Sequence, residues 1–342
     1  MTAGIILGAI IVVLALIAGA IWLLGSRAKK RLAAQYPPTG QMVDVGGFRM
    51  HINCQGDPAE GPTVVMDAGQ GEPGLTWALV QPAVAEFARV CSFDRAGLGW
   101  SESSPNPRTL TNYVEEQRTL LARAGVEPPY VLVGHSAGGL YVRVYGHLYP
   151  DEVAGMVLVD AAHEDLDVRP PEALKKMNKR AMQLVGCFFP LFQMMSSIGL
   201  FAWVPDAVGR VWPSPFPESA RGAYQAMAAS DGRWFGTMGK ELTAVWGNLA
   251  AARAMQLNTL GDMPLVVLSR GLTQMSTGPG VSAEDVEGFK EADDEMQAEL
   301  AALSTRGKRV IAEGCGHHIQ VDRPQLVIDA IREVVEQARA RG

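Results

Sequence analysis

The stretch PYVLVGHSAGGLYVRVYG, Pro129–Gly146, sets one serine, Ser136, between Gly134 and Gly138. A short apolar run precedes it and a helix-like pattern follows. A serine hydroxyl is a weak nucleophile until a neighbouring base takes its proton. A tight strand-to-helix turn exposes that oxygen, and small residues two positions to either side keep the turn free of clashes. Gly134-His135-Ser136-Ala137-Gly138 therefore fits the G-x-S-x-G pattern of a nucleophile elbow. The helix that follows aims its N-terminal amides at negative charge.

Outward from the elbow, strand-like and helix-like segments alternate, the pattern of an α/β domain. Met42–Val45 and Phe48–Cys54 flank Gly46-Gly47, a hairpin signal. Thr63–Asp67, Arg89–Phe93, Tyr130–Gly134, Met156–Asp160, Pro264–Ser269 and Arg309–Ala312 are short apolar runs, as expected of strands covered on both faces. Leu110–Ala124 and Gln325–Ala338 carry helical patterns. From His163 to Asn258 no strand signal appears, while Met, Phe and Trp become dense, as in CFFPLFQMMSSIGLFAWVP. A simple crossover needs far fewer residues, so this interval is expected to be an inserted helical cap. Pro190, Pro205 and the polar residues between them argue against a bilayer-length run there.

The chain has 342 residues, 48% of them hydrophobic, and a net charge of -6. An acidic balance argues against nucleic acid, whose phosphates need clustered Lys and Arg. Gly4–Leu24, GIILGAIIVVLALIAGAIWLL, holds neither charge nor proline and matches the thickness of a hydrocarbon core. A cleaved signal peptide is the alternative. Its apolar region is usually about 7–15 residues and follows a basic segment, and neither holds here. A single-pass membrane anchor is the expectation. Arg27, Lys29, Lys30 and Arg31 follow the run and would favour a cytoplasmic domain. Ala33–Met42, with two prolines and a glycine, reads as a tether.

The base for Ser136 should be a histidine on the loop after the final strand. Glu313-Gly-Cys-Gly-His317-His318 occupies that place, and His317 is the choice; His318 reads as filler and His135 as structural. The oxyanion of a tetrahedral intermediate needs backbone N–H donors. Ala137 supplies one, and Gln70, in the Gly-rich DAGQGEPG loop, is the candidate for the second. The acid that orients the histidine is expected at Asp160, which ends the strand after the elbow helix. Glu164, Asp165, Asp285 and Glu287 are the alternatives, because LSRGLTQMSTGPG after the penultimate strand has no carboxylate.

With GHSAGG, FDRAGLGWSE (Phe93–Glu102) and GCGHHIQVDRPQLVIDAI, the chain resembles the α/β-hydrolase fold superfamily, in particular its bacterial esterase-like and aminopeptidase-like members. The resemblance runs from Met42 to the C-terminus and omits most of the cap. It implies a mostly parallel eight-stranded sheet flanked by helices. It also implies Ser136 as nucleophile and His317 as base, with Gln70 and Ala137 at the oxyanion hole, and a mechanism that needs no cofactor. No metal-ligand spacing occurs. The expected organisation is an anchor over 1–25, a juxtamembrane linker over 26–41, the core over 42–162 and 259–342, and the cap over 163–258. The family's strand order would set Cys54 beside Cys91, leaving open a disulfide, with the oxidising compartment it implies, or two buried thiols. The chemistry implied is hydrolysis of a small-molecule carboxylic ester or related acyl compound with an apolar portion. An acyltransferase, an iminopeptidase-like peptidase and a non-catalytic receptor are the alternatives. The aspartate nucleophile that epoxide-hydrolase and dehalogenase chemistry requires on this fold is absent from the elbow. Oligomeric state is not legible in the sequence.

Overall fold

A computed structural model of the chain describes residues 2–57, 61–204, 218–273 and 275–341. Eight strands form one sheet in the order β1-β2-β4-β3-β5-β6-β7-β8. They are β1 (Gln41–Asp44), β2 (Arg49–Gln55), β3 (Thr63–Asp67), β4 (Val90–Phe93), β5 (Tyr130–His135), β6 (Val153–Val159), β7 (Leu265–Arg270) and β8 (Gly307–Ala312). The β1–β2 and β2–β4 pairs are antiparallel and the remaining neighbours run parallel. The hairpin between β1 and β2 turns on Gly46 and Gly47, both at positive φ, with their N–H groups donating to Asp44 Oδ1.

The central strands are apolar throughout because both faces are covered. Val65, Leu132, Met156 and Leu158 face one layer, where α2 (Leu110–Arg123) and α3 (Ala137–Leu148) pack. Val64, Met66, Val131 and Val133 face the other, closed by α8 (Pro324–Arg339) through Val327, Ile331 and Val334. Between β6 and β7 the chain leaves the sheet to form the cap helices α4 (Glu172–Ser197), α5 (Glu218–Ser230) and α6 (Arg233–Met255); α7 (Ala283–Ala302) then precedes β8. Helix α4 passes through Pro190 without ending. The expected Pro205 lies outside the described residues.

The N-terminal helix α1 runs from Thr2 to Gln35. This corrects the expected linker over 26–41: residues 26–35 are helical, and only a short segment separates α1 from β1. The residues just beyond the apolar run, Arg27 to Arg31, contain no helix breaker, so the helix continues.

Cys54 and Cys91 face each other across the β2–β4 pairing and form a disulfide, their Cα atoms 4.0 Å apart. Cys187 is exposed and Cys315 buried, and both are free thiols. The bond closes a loop with a sequence separation of 37. Loop-closure entropy makes such a bond worth roughly 3–4 kcal/mol. Reduction should therefore lower the unfolding free energy by that amount in denaturant titrations, and the C54A/C91A chain should match the reduced protein.

Candidate active site

The elbow forms because β5 and α3 meet with no loop between them. Ser136 sits at the join with φ 52° and ψ -120°, a backbone that side chains rarely adopt. Three hydrogen bonds hold it. Its N–H donates to Val159 O at 3.1 Å, and its carbonyl accepts from Gly139 N–H at 3.0 Å and Ala162 N–H at 2.8 Å. A Cβ at Gly134 would come within 2.5 Å of Gly138 O, and one at Gly138 within 2.5 Å of Asp67 O. Both positions must be glycine for the turn to close.

Strand β6, hydrogen-bonded beside β5, is followed directly by Asp160, which also has a left-handed backbone (φ 41°). Its side chain is buried, and Oδ2 lies 2.5 Å from Nδ1 of His317 on the loop after β8. Arg270, at the end of β7, donates to the same carboxylate through its backbone N–H and its Nη1, each at 3.1 Å. Burial raises the Asp160 pKa, but the His317 hydrogen bond and the Arg270 charge outweigh it and hold the carboxyl below its ordinary value. At His317, desolvation acts most strongly and brings the imidazole below its ordinary value of 6.5, against the opposing pull of Asp160.

The other acids considered for this position are engaged elsewhere. Glu164 pairs with Arg143 at 2.8 Å, Asp165 with Arg169 at 3.1 Å, Asp285 caps α7 with Ser282, and Glu287 pairs with Lys290. His318, expected as filler, instead pairs with Glu72 at 2.8 Å. Glu72 also lies 3.3 Å from His135 Nδ1, while His135 Nε2 lies 3.0 Å from the His317 carbonyl. Burial works against the charge on Glu72, but the two histidines overcome it and hold its carboxyl well below the usual range. His135 and His318 therefore buttress the loop that carries His317.

The Gly-rich loop after β3 brings Gln70 to the same cavity as Ser136, Asp160 and His317. The N–H groups of Gly69 and Gly71 donate to Glu72 and to Glu241 of α6. Among the described hydrogen bonds none uses the Gln70 N–H, and Ala137, first in α3, has no intrahelical partner for its own. Sequence reasoning missed what holds this loop. Arg95, within FDRAGLGWSE, bonds Asp67 at 2.6 Å and the carbonyls of Ala68 and Gly69 at 2.7 and 2.5 Å, and its Nε faces Glu241 at 3.5 Å. Desolvation, together with Glu241, leaves Asp67 above its ordinary pKa despite the guanidinium. The FDRAGLGWSE motif was the signal, but only the fold shows which carbonyls its arginine reaches.

The cavity over Ser136 measures about 280 Å³. Leu166, Met182, Trp246, Phe289 and Met296 give it apolar walls, while Arg270, Asp293 and Gln297 make one side polar. Among the described residues no group of three or more His, Cys, Asp or Glu is placed to hold a metal ion.

Residues 64–330 match the family described as the Alpha/beta hydrolase family. A protein of Gibberella zeae described as an AB hydrolase superfamily protein is 24% identical over 85% of this chain and 92% of its own length. Several other curated relatives are matched over only part of their own length: the chain spans 43%, 51%, 51% and 54% of them. Among solved structures, Cfl2 from Burkholderia cenocepacia superposes with TM-score 0.64 at 20% identity, over 86% of this chain and 95% of that one. Epoxide hydrolase VrEH1 from Vigna radiata does so with TM-score 0.63 at 18% identity, over 87% and 97%.

Replacing Arg95 with Met should leave Asp67 and Glu241 buried without their cation and free the Ala68 and Gly69 carbonyls. Breaking a buried ion pair on one side costs roughly 3–5 kcal/mol. Urea unfolding of the variant beside the parent chain measures it.

Proposed function

The chain belongs to the alpha/beta hydrolase family, and on that premise we propose that it hydrolyses carboxylic esters through an acyl-enzyme on Ser136. The observation that carries the proposal is the 2.5 Å contact between His317 Nδ1 and Asp160 Oδ2 on the wall of the cavity that also holds Ser136. With Asp160 ionised and accepting the Nδ1 proton, the tautomer leaves Nε2 unprotonated and able to act as base. In this scheme Ser136 Oγ attacks the ester carbonyl carbon and His317 takes its proton. The oxyanion accepts hydrogen bonds from the N–H groups of Gln70 and Ala137. Collapse of the intermediate breaks the C–O bond, and the imidazolium returns its proton to the departing alcohol. Water then attacks the acyl-serine by the same steps, releasing the acid.

The elbow residue favours esters over epoxides. A serine that opened an epoxide ring would be left as an ether, which water does not cleave; an acyl-serine is an ester, which it does. We also read α1 as a membrane anchor. Its most apolar stretch has a mean hydropathy of 2.9, and none of it is buried against the folded domain.

Ser136→Ala should lower kcat on p-nitrophenyl butyrate by about 10⁴–10⁶-fold. It should also abolish labelling by a fluorophosphonate while leaving Tm unchanged; equal turnover by parent and variant would sink the proposal. Asp160→Asn should cost roughly 10⁴-fold, because the imidazole then loses the acceptor that selects its tautomer. The base must be neutral, so activity is lost as pH falls through the His317 pKa. Because that pKa is lowered, the acidic limb of kcat/KM should lie below pH 6.5.

A further inference from the structure

Helix α1 does not project from the domain on a loose tether. It continues past its apolar run and docks on the cap. The backbones of Gly25 and Gly199 meet too closely for either to carry a Cβ. Lys29 Nζ donates to Ser197 O at 2.6 Å, and Leu32 packs against the cluster that holds Phe189 and Phe235. The apolar run therefore ends level with the C-terminal end of α4.

Exposed apolar side chains run from the middle of α4 to just beyond that end. Leu184 is 63% exposed, Phe188 45%, Leu191 44%, Met194 55% and, just beyond the helix, Trp203 44%. Leu184, Phe188 and Leu191 recur at intervals of four and three and so form one stripe. Trp22, near the end of the apolar run, is 60% exposed. Trp22 and Trp203 each lie within four residues of the Gly25–Gly199 contact, as the aromatic belts of membrane proteins flank their apolar spans. Cations flank this patch. Lys175, Lys176, Lys179 and Arg180 occupy the first half of α4, and Arg27 to Arg31 follow the apolar run, with Lys29 beside Ser197, an arrangement suited to anionic headgroups.

Beneath α4 lies a cavity of about 220 Å³. Gln70 and Gly71 line its inner end, and Met182, Val185 and Phe189 line the end at α4. Val185 is partly exposed. Apolar surface thus leads from the outer side of the cap to the loop next to Ser136.

We propose that the cap rests in the bilayer through the Leu184–Val204 face, and that the substrate is an amphiphilic, long-chain ester that enters from the lipid phase beneath α4. The proposal rests on the ester-hydrolase reading of the Ser136 site and on α1 as anchor, and it names their substrate class. The test uses the full chain in vesicles of phosphatidylcholine and phosphatidylglycerol with brominated acyl chains. Cys187, the exposed thiol on α4, carries a polarity-sensitive fluorophore. The lipid should quench the label, and L184E/F188E/L191E should remove the quenching. That variant should hydrolyse a vesicle-embedded palmitoyl ester at least about tenfold more slowly, since withholding even one such side chain from lipid is worth about that factor. Its turnover of water-soluble p-nitrophenyl butyrate should not change. A label that stays in water while the chain stays with the vesicles overturns the proposal, as does equal turnover of the embedded ester by variant and parent. Release of the parent chain by alkaline carbonate would instead overturn the anchor. Failure of the parent to hydrolyse the butyrate would overturn the ester reading. Either result takes the proposal with it, for a distinguishable reason.

Discussion

Ser136 is held in a left-handed backbone by hydrogen bonds to two neighbouring segments, Val159 at the end of β6 and Ala162 just beyond it. A non-glycine residue in such a conformation costs about 1–3 kcal/mol and persists only where its surroundings over-determine it. Here the surroundings are the parallel pairing of β5 and β6, the glycines at 134 and 138, and the start of α3. The same constraint propagates sideways. Because β6 runs in register with β5, its last residue emerges one strand away, and Asp160 turns there with a positive φ of its own. Two strained residues at adjacent strand ends aim a hydroxyl and a carboxylate at one cavity.

The electrostatics of that cavity follow from what sits on the next strand. Arg270 ends β7 where a carboxylate is often found in this fold, and it bridges Asp160 and Asp293. A cation beside Asp160 keeps the carboxylate charged despite burial, which suits it to orient an imidazole. On the far side, Glu72 engages His135 and His318, and His135 reaches the His317 carbonyl. The histidine loop is thereby braced from behind by polar groups that a glance at the sequence would assign to the surface. Arg95 does the corresponding work for the loop of Gln70.

The cap links the site to the N-terminal helix. A linker was expected over residues 26–41, yet α1 is unbroken to Gln35 and its last turns belong to the packing of α4 and α5. The tight Gly25–Gly199 approach makes the orientation of the apolar helix a property of the domain rather than of a flexible tether.

Local pattern determined the alternation of strands and helices, the elbow, the hairpin, the histidine loop and the apolar helix, because each is encoded within a few neighbouring residues. The eight-stranded α/β-hydrolase sheet follows the same logic: buried parallel strands read as apolar runs, and their positions in the sequence match those in the sheet to within three residues. Tertiary structure alone decided which acid meets His317, because Asp160, Glu164 and Asp165 lie within six residues and differ only in which way the chain turns after β6. It also decided that Cys54 faces Cys91, that Arg95 holds the Gln70 loop and that Gly25 meets Gly199. Each of these joins residues tens to hundreds of positions apart. Such contacts are set by strand register and helix packing, neither of which leaves a mark on the local sequence.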